Sequence, residues 1–260
     1  MVASGNDFVV IDNRSRLIQN PAEFARSVCR AHLGIGADGL LLVEKSSRAA
    51  FKMRIINSDG SEAGACGNGF RCISFYAHQK LGLPERFKFE SQSGMISAQV
   101  LKGRIRVGLV RPRGYQDRKT LEVSGHRLHY SFINTGVPHT VILAEGLDKM
   151  DVNHLGRAVR EHPAFQPQGT NVNFVEVNGL HEIRVRTYER GVENETLACG
   201  TGSTASALIT SLAGYTKAPV KVKTRGGETL TIDFKIRNGT VKGVSLEGEV
   251  RFVFEGVLLT

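Results

Sequence analysis

Two short segments of this 260-residue chain could do acid–base chemistry, and they are almost the same segment. Residues 65–69 read ACGNG and residues 198–202 read ACGTG, so Cys66 and Cys199 sit in matching glycine loops. After the first loop, Phe70, Ile73, Ala77 and Leu81 recur at helical spacing until Gly82 and Pro84 stop the pattern. After the second, Ala205, Leu208, Ile209 and Leu212 do the same up to Gly214. Each cysteine is therefore expected at the mouth of a helix, where unpaired backbone N–H groups and the positive end of the macrodipole favour an anion. The same field favours thiolate over thiol, so both cysteines are expected to ionise more easily than a free one. Two such mouths could hold one carboxylate with a sulfur on either side of its α-carbon. That arrangement suits racemisation, which needs a base on one face and an acid on the other, with helix-terminus donors stabilising the charge that develops.

The elements that position the loops repeat as well. Cys199 minus Cys66 is a shift of 133 residues, and it places GNDFVV (5–10) on PHTVIL (138–143), GADGLLLVE (36–44) on GTNVNFVEV (169–177), and Glu62 on Glu195. Each half runs strand, helix (Pro21 to His32; Asn153 to His162), glycine turn, strand, extended segment, cysteine loop, second helix. Hairpins are expected around Lys102-Gly103, Asn178-Gly179 and Asn238-Gly239. The expected class is α+β: two similar domains, 1–115 and 116–260, each a largely antiparallel sheet wrapped around a central helix, with the active site in the cleft between them. The join is expected at Arg111 to Lys119, where Pro112 and Gly114 interrupt the strand pattern, and the last strand could return to the first domain.

Composition narrows the function. With 41% hydrophobic and 23% charged residues the chain is of globular type, and no stretch approaches the ~20 apolar residues of a membrane span. MVASGNDF has neither the basic start nor the apolar run of a signal peptide, which leads to a cytoplasmic expectation. Cys29, Cys66, Cys72 and Cys199 form no CxxC pair and are expected as free thiols, Cys29 and Cys72 as small buried hydrophobes. Cys66, Cys72 and His78 have the wrong spacing for a zinc site, and no metal is expected. The +9 charge is scattered. Only Arg104 to Lys119 is locally basic, with one aromatic, Tyr115, so a solvated face is expected and neither nucleic acid nor membrane as partner. GIGADG (34–39) fits a dinucleotide fingerprint, but a helix precedes it and a strand follows, the reverse of the required order. Its glycines are turn glycines, and no cofactor is expected.

Over nearly its whole length the chain resembles the diaminopimelate epimerase family, within the wider group of two-thiol, cofactor-free racemases. The resemblance rests on GNDFVVIDNR (5–14), GIGADGLLLVE (34–44), MRIINSDGSEAGACGNGFRC (53–72), NTGVPHTV (134–141), GTNVNF (169–174) and RTYERGVENETLACGTGSTA (186–205). It implies interconversion of LL- and meso-diaminopimelate, a small amino-acid substrate, in lysine biosynthesis. It makes Cys66 and Cys199 the acid–base pair. Gly67, Asn68, Gly200 and Thr201 would offer N–H groups to the reacting carboxylate. Asn6, Asn57, Asn171, Glu189 and Arg190 would hold the rest of the substrate, and His139 and Glu189 would tune the thiols. Without the resemblance, Asn57 and Asn171 could equally be turn or strand-end residues, His139 a structural histidine and Arg190 surface charge. Three departures stand out. Gly39 and Val137 lack the polar side chains some members have there, and the four residues before GNDF leave an edge strand expected to be missing. A proline or hydroxyproline type of racemase is the alternative activity, and a non-catalytic anion-binding protein the alternative class. The resemblance alone, not the spacing, allows a homodimer.

Overall fold

A computed structural model of the chain describes residues 1–123 and 125–259. They divide into two compact units, one made of Met1–Gly108 with the segment from Glu247 onward, the other of Leu109–Leu246.

In the first unit β1 (Val2–Ala3) pairs antiparallel with β2 (Asn6–Asp12) across Ser4 and Gly5, both at positive φ (52° and 83°) as a tight hairpin turn requires. The edge strand expected to be missing is thus present, two residues long. Asn20 caps α1 (Pro21–Val28) by accepting the Glu23 N–H, and proline opens the helix. The helix stops at Val28 rather than running to His32. The chain folds back there, Ile35 N donates to Val28 O at 2.9 Å, and His32 takes a positive φ of 67°. A side chain at Gly34 would meet Ser27 O at 2.5 Å, so the fold-back needs glycine.

β3 (Gly39–Glu44) runs parallel to β2 and antiparallel to β4 (Lys52–Asn57), which also carries β5 (Glu62–Ala63). Leu40 and Leu42 pack on Ala25 and Val28 of α1. Leu41 and Met53 lie against the opposite helix, α2 (Gly67–Leu81), close to Gly69. Burial on both faces is why this strand reads as a continuous apolar run. β6 (Arg86–Ser91), β7 (Gly94–Leu101) and β8 (Arg104–Gly108) form antiparallel hairpins, with β7 and β8 packed on α2. From the returning segment, Glu247 accepts hydrogen bonds from Arg104 and Arg106, each at 2.8 Å.

The second unit begins with β9 (Arg113–Val123) and β10 (His126–Asn134), an antiparallel pair. The segment expected to be the join is therefore strand, with Arg113 to Thr120 exposed, which accounts for its charges. Next come β11 (Pro138–Leu143), α3 (Val152–Glu161), β12 (Asn171–Gly179), β13 (Glu182–Glu189), β14 (Asn194–Thr196) and α4 (Gly200–Leu212). β15 (Val220–Lys223), β16 (Thr229–Arg237) and β17 (Thr240–Glu249) complete the order. The plan of the first unit recurs. β11 and β12 are parallel, β12 and β13 antiparallel, and α4 packs on β11, β12 and β13. On the other face Val152 and Val159 of α3 pack with Ile142, Val172, Phe174 and Tyr188. α2 and α4 begin at 67 and 200, and α1 and α3 end at 28 and 161, so the shift read from the cysteines also relates the helices.

The class is α+β, and the strands of each unit are mostly antiparallel with two parallel pairings at matching places, β2–β3 and β4–β6 in the first, β11–β12 and β13–β15 in the second. Each unit has a second helix on the other face of these strands, so they are covered on both sides. One hairpin differs from expectation: Asn178 and Gly179 stay in β12 and the turn is Leu180-His181, two residues on. No helix among the described residues is long and apolar enough to cross a membrane.

Gly156 lets α3 approach β13: a Cβ there would lie 2.5 Å from the Cβ of buried Tyr188. Alanine improves helix propensity by about 1 kcal/mol. Overpacking against a fixed ring costs about 1–3 kcal/mol and should win. Gly156→Ala is expected to lower the stability by up to about 2 kcal/mol, read as a lower urea midpoint at unchanged m-value.

Candidate active site

Cys66 is the N-cap of α2. Its backbone is extended (φ −152°), its carbonyl accepts the Phe70 N–H at 2.8 Å, and its Sγ accepts the Gly69 N–H at 3.4 Å. Gly69 lies close under the core: a Cβ there would be 3.3 Å from both Leu41 Cδ2 and Met53 Cε, each of which would have to give by a few tenths of an ångström. The first-turn amides of Gly67 and Asn68 have no acceptor within a helix, so they can serve a bound anion. Beneath this mouth lies a directional chain of hydrogen bonds. Arg71 donates to Asn68 Oδ1 (2.7 Å) and to Ser4 Oγ (2.5 Å), Asn68 Nδ2 donates to Asn6 Oδ1 (2.6 Å), and Asn6 Nδ2 donates to Asp38 Oδ2 (2.8 Å). A donor-only guanidinium at one end and an acceptor-only carboxylate at the other fix the orientation of both amides. The side chain of Asn68 is therefore structural, and its backbone N–H is what it can offer a ligand.

Asn57 closes β4 opposite Gly39, exposed, with its amide donating to Ser61 Oγ at 2.9 Å. Gly39 has a packing reason: a Cβ there would sit 2.8 Å from Ile56 O.

Cys199 is the N-cap of α4 in the same geometry, φ −113°, with Sγ accepting the Gly202 N–H at 3.4 Å and lying 3.5 Å from Thr201 Oγ1. Thr135 Oγ1 donates to Thr201 O and ties the loop to the end of β10. The electrostatics differ from expectation. Cys199 is 8% exposed, and burial, then the Glu189 carboxylate beside it, push its thiol well above the ordinary value against the opposing pull of Thr201 and the Gly202 amide. The helix mouth does favour thiolate, as the spacing implied, but desolvation outweighs it. Glu189 thus tunes Cys199 upward, and its carboxylate also accepts from Thr196 Oγ1 at 2.6 Å. Cys29, in α1's C-cap, is raised to about 11 by burial, and Cys72 is fully buried; neither is suited to chemistry.

His139 is fully buried, and its pKa is lowered to about 3, first by desolvation and then by Arg190, so it is neutral at working pH. Its Nδ1 lies 3.2 Å from Asn173 Nδ2. After burial, the groups that act on the Cys199 thiol are Glu189, Thr201 and Gly202. Asn171 is committed within the chain: Nδ2 donates to Pro138 O (3.0 Å) and Oδ1 accepts the Arg190 N–H (2.9 Å). It orients Arg190, whose guanidinium rests on Gln168 O at 2.6 Å. Sequence reasoning missed Ser4, Asp38, Arg71 and Asn173. The repeat offered a signal for Asp38, which the 133-residue shift places on Asn171. A cavity of about 490 Å³ in the first unit, lined by Val9, Ile11, Tyr76 and Phe252 among others, contains neither cysteine, so concavity alone does not locate the chemistry.

The family model described as Diaminopimelate epimerase matches residues 1–108 and 131–253. Curated relatives of that name from Aquifex aeolicus and a Hydrogenobaculum species are 47% and 41% identical, each alignment covering 98% of this chain and 95% of the relative. Among solved structures, a hydroxyproline epimerase from Agrobacterium vitis with bound trans-4-hydroxy-L-proline superposes with a TM-score of 0.70 over 95% of this chain and 86% of its own. At 14% identity it speaks for the fold alone.

Two measurements check the site. Brief iodoacetamide treatment at pH 7.5 followed by peptide mapping should label half-buried Cys66 ahead of Cys199, with Cys29 and Cys72 unlabelled until denaturant is added. His139 should make the fold acid-sensitive. Its folded value of about 3 lies below the 6.5 of an unfolded histidine, so its stability contribution is intact above pH 6.5 and is lost as pH falls toward 3. The loss is expected at up to about 1.4 kcal/mol per pH unit, and the urea midpoint of His139→Asn should fall less steeply between pH 6.5 and 4.5 than that of the wild type.

Proposed function

The chain belongs to the diaminopimelate epimerase family, and from that membership we propose that it interconverts LL- and meso-2,6-diaminopimelate without a cofactor, through Cys66 and Cys199. The observation that carries this reading is the pair of cysteine N-caps, each sulfur accepting the third amide of its helix at 3.4 Å. Inversion requires one thiolate to take the α-proton from one face while a thiol returns a proton to the other. Burial holds Cys199 as a thiol, which makes it the proton donor in the direction where Cys66 is the base. After one turnover the two have exchanged states, and the reverse direction starts from there. No electrons move, and the proton count closes.

An α-hydrogen is weakly acidic, so charge moving onto the adjacent carboxylate must be met. The first-turn amides of Gly67, Asn68, Gly200 and Thr201 are suited to it, being fixed dipoles that need no reorganisation. The distal end of the substrate is a second zwitterion, whose carboxylate suits Arg190 and whose ammonium suits the oxygens of Asn6, Asn57 and Glu189. Asn171 contributes by holding Arg190. The activity belongs to lysine biosynthesis, and the family membership supports work in the cytoplasm.

Exchange of the α-hydrogen of LL-diaminopimelate in deuterated water with reductant present tests the reading. Deuterium should enter the inverted product with wild type, and epimerisation should fall at least about 10³-fold in Cys66→Ala and in Cys199→Ala. Turnover of proline or hydroxyproline with none of diaminopimelate would move the activity to that class. Retained activity in both variants would end the two-thiol reading.

A further inference from the structure

Asn173 lies on β12, buried completely, and plays no part in the chemistry so far. Its Nδ2 is 2.9 Å from Thr140 O and 3.2 Å from His139 Nδ1, and its Oδ1 accepts from Thr187 Oγ1 at 3.0 Å. The orientation of the amide follows from these neighbours. A backbone carbonyl can only accept, so the nitrogen end must face Thr140 O. One amide hydrogen is then committed there and the other points at the imidazole. His139 Nδ1 must accept it, so it carries no proton. A neutral imidazole bare at Nδ1 is protonated at Nε2, and that nitrogen is buried with no acceptor among the described residues.

We infer that Asn173 is a positioning residue that locks His139 in its Nε2–H tautomer, making Nε2 a fixed hydrogen-bond donor and barring Nδ1 from service as a proton acceptor. Two further observations support this. Asn173 Oδ1 packs on Gly202, where a Cβ would lie 2.2 Å from it, so the same amide that sets the ring also abuts the turn that caps Cys199. Burial and Arg190 keep the ring neutral, so the tautomer is not lost to protonation near neutral pH. A neutral donor can stabilise a carboxylate or thiolate without competing for the substrate proton, which leaves proton transfer to the thiols. The catalytic half of the inference rests on the proposed epimerase reading; the tautomer does not.

Long-range ¹H–¹⁵N correlation spectra of uniformly ¹⁵N-labelled protein test it, with the His139 ring assigned by its disappearance in His139→Asn. The expected pattern is a protonated Nε2 and a bare Nδ1, unchanged from pH 5 to 8. A protonated Nδ1 with bare Nε2, or an imidazolium pattern, overturns the inference whatever the enzyme turns over. In Asn173→Asp the carboxylate should draw the proton to Nδ1 and make the ring titrate. kcat should then fall about 100-fold or more, KM should change little, and the kcat profile should gain an ionisation absent from wild type. Wild-type kcat in a variant whose ring has changed tautomer would overturn the catalytic half. If that variant does not fold, the wild-type spectrum still decides the tautomer, and wild-type protein with the expected ring but no turnover of diaminopimelate would count against the epimerase reading alone.

Discussion

A cysteine sulfur that accepts a backbone N–H at 3.4 Å is a weak helix cap, and this chain uses two of them. Serine, threonine, aspartate or asparagine in that position would each stabilise the helix by about 1 kcal/mol. Capping strength therefore does not explain the choice, whereas the proposed acid–base role does. The cap places the sulfur against the first turn, where helix amides and the macrodipole act on it and on any anion beside it. The third residue after the cap is glycine in both copies, with different neighbours: Leu41 and Met53 lie close to Gly69, whereas Asn173 crowds Gly202 more tightly. One demand, a sulfur at a helix mouth, is thus met twice by nearly the same loop sequence.

The copies share a frame but not an environment. Beneath Cys66 a polar chain ends in full charges, Arg71 at one end and Asp38 at the other. Beneath Cys199 the supporting groups are neutral, with His139 and Asn173 both fully buried, and the one charge beside the sulfur, Glu189, opposes ionisation. Cys66 is half-buried and Cys199 nearly sealed. For a reaction that at each instant needs one thiol and one thiolate, unequal surroundings have a use. Under the proposed mechanism, the sealed surroundings of Cys199 and the Glu189 carboxylate favour Cys199 as the partner that rests as a thiol.

What could be read in the sequence was what local chemistry decides. Glycine loops, the stops of α2 and α4, the repeat and the Lys102-Gly103 and Asn238-Gly239 turns depend on neighbours in the chain, and they stand where the residues put them. The family membership was legible for the same reason, since its motifs are continuous segments. Effects that arise only when distant strands come into register were hidden. Asp38 meets Asn6 because β2 and β3 are parallel, and Asn173 meets His139 because β11 and β12 are. Neither spacing has a local signature. The ionisation of Cys199 was misjudged because a dipole can be inferred from a helix start, whereas desolvation needs the packing. α1 was read too long because the contact that ends it comes from residues folding back on it.

A buried guanidinium under one helix and a buried imidazole and amide under the other are costly, since each must be desolvated. Apolar residues of similar volume would pack as well and commonly leave a fold equally or more stable. The groups kept here share one property: each has its donor and acceptor directions decided by a partner that cannot reverse. Arg71 can only donate, Asp38 when ionised can only accept, and the Thr140 carbonyl can only accept. The amides of Asn6, Asn68 and Asn173 and the ring of His139 are thereby each held in one orientation out of two. Packing can hold a side chain in place, but it cannot tell an amide oxygen from an amide nitrogen, and a site that must present a donor to a growing negative charge depends on that distinction.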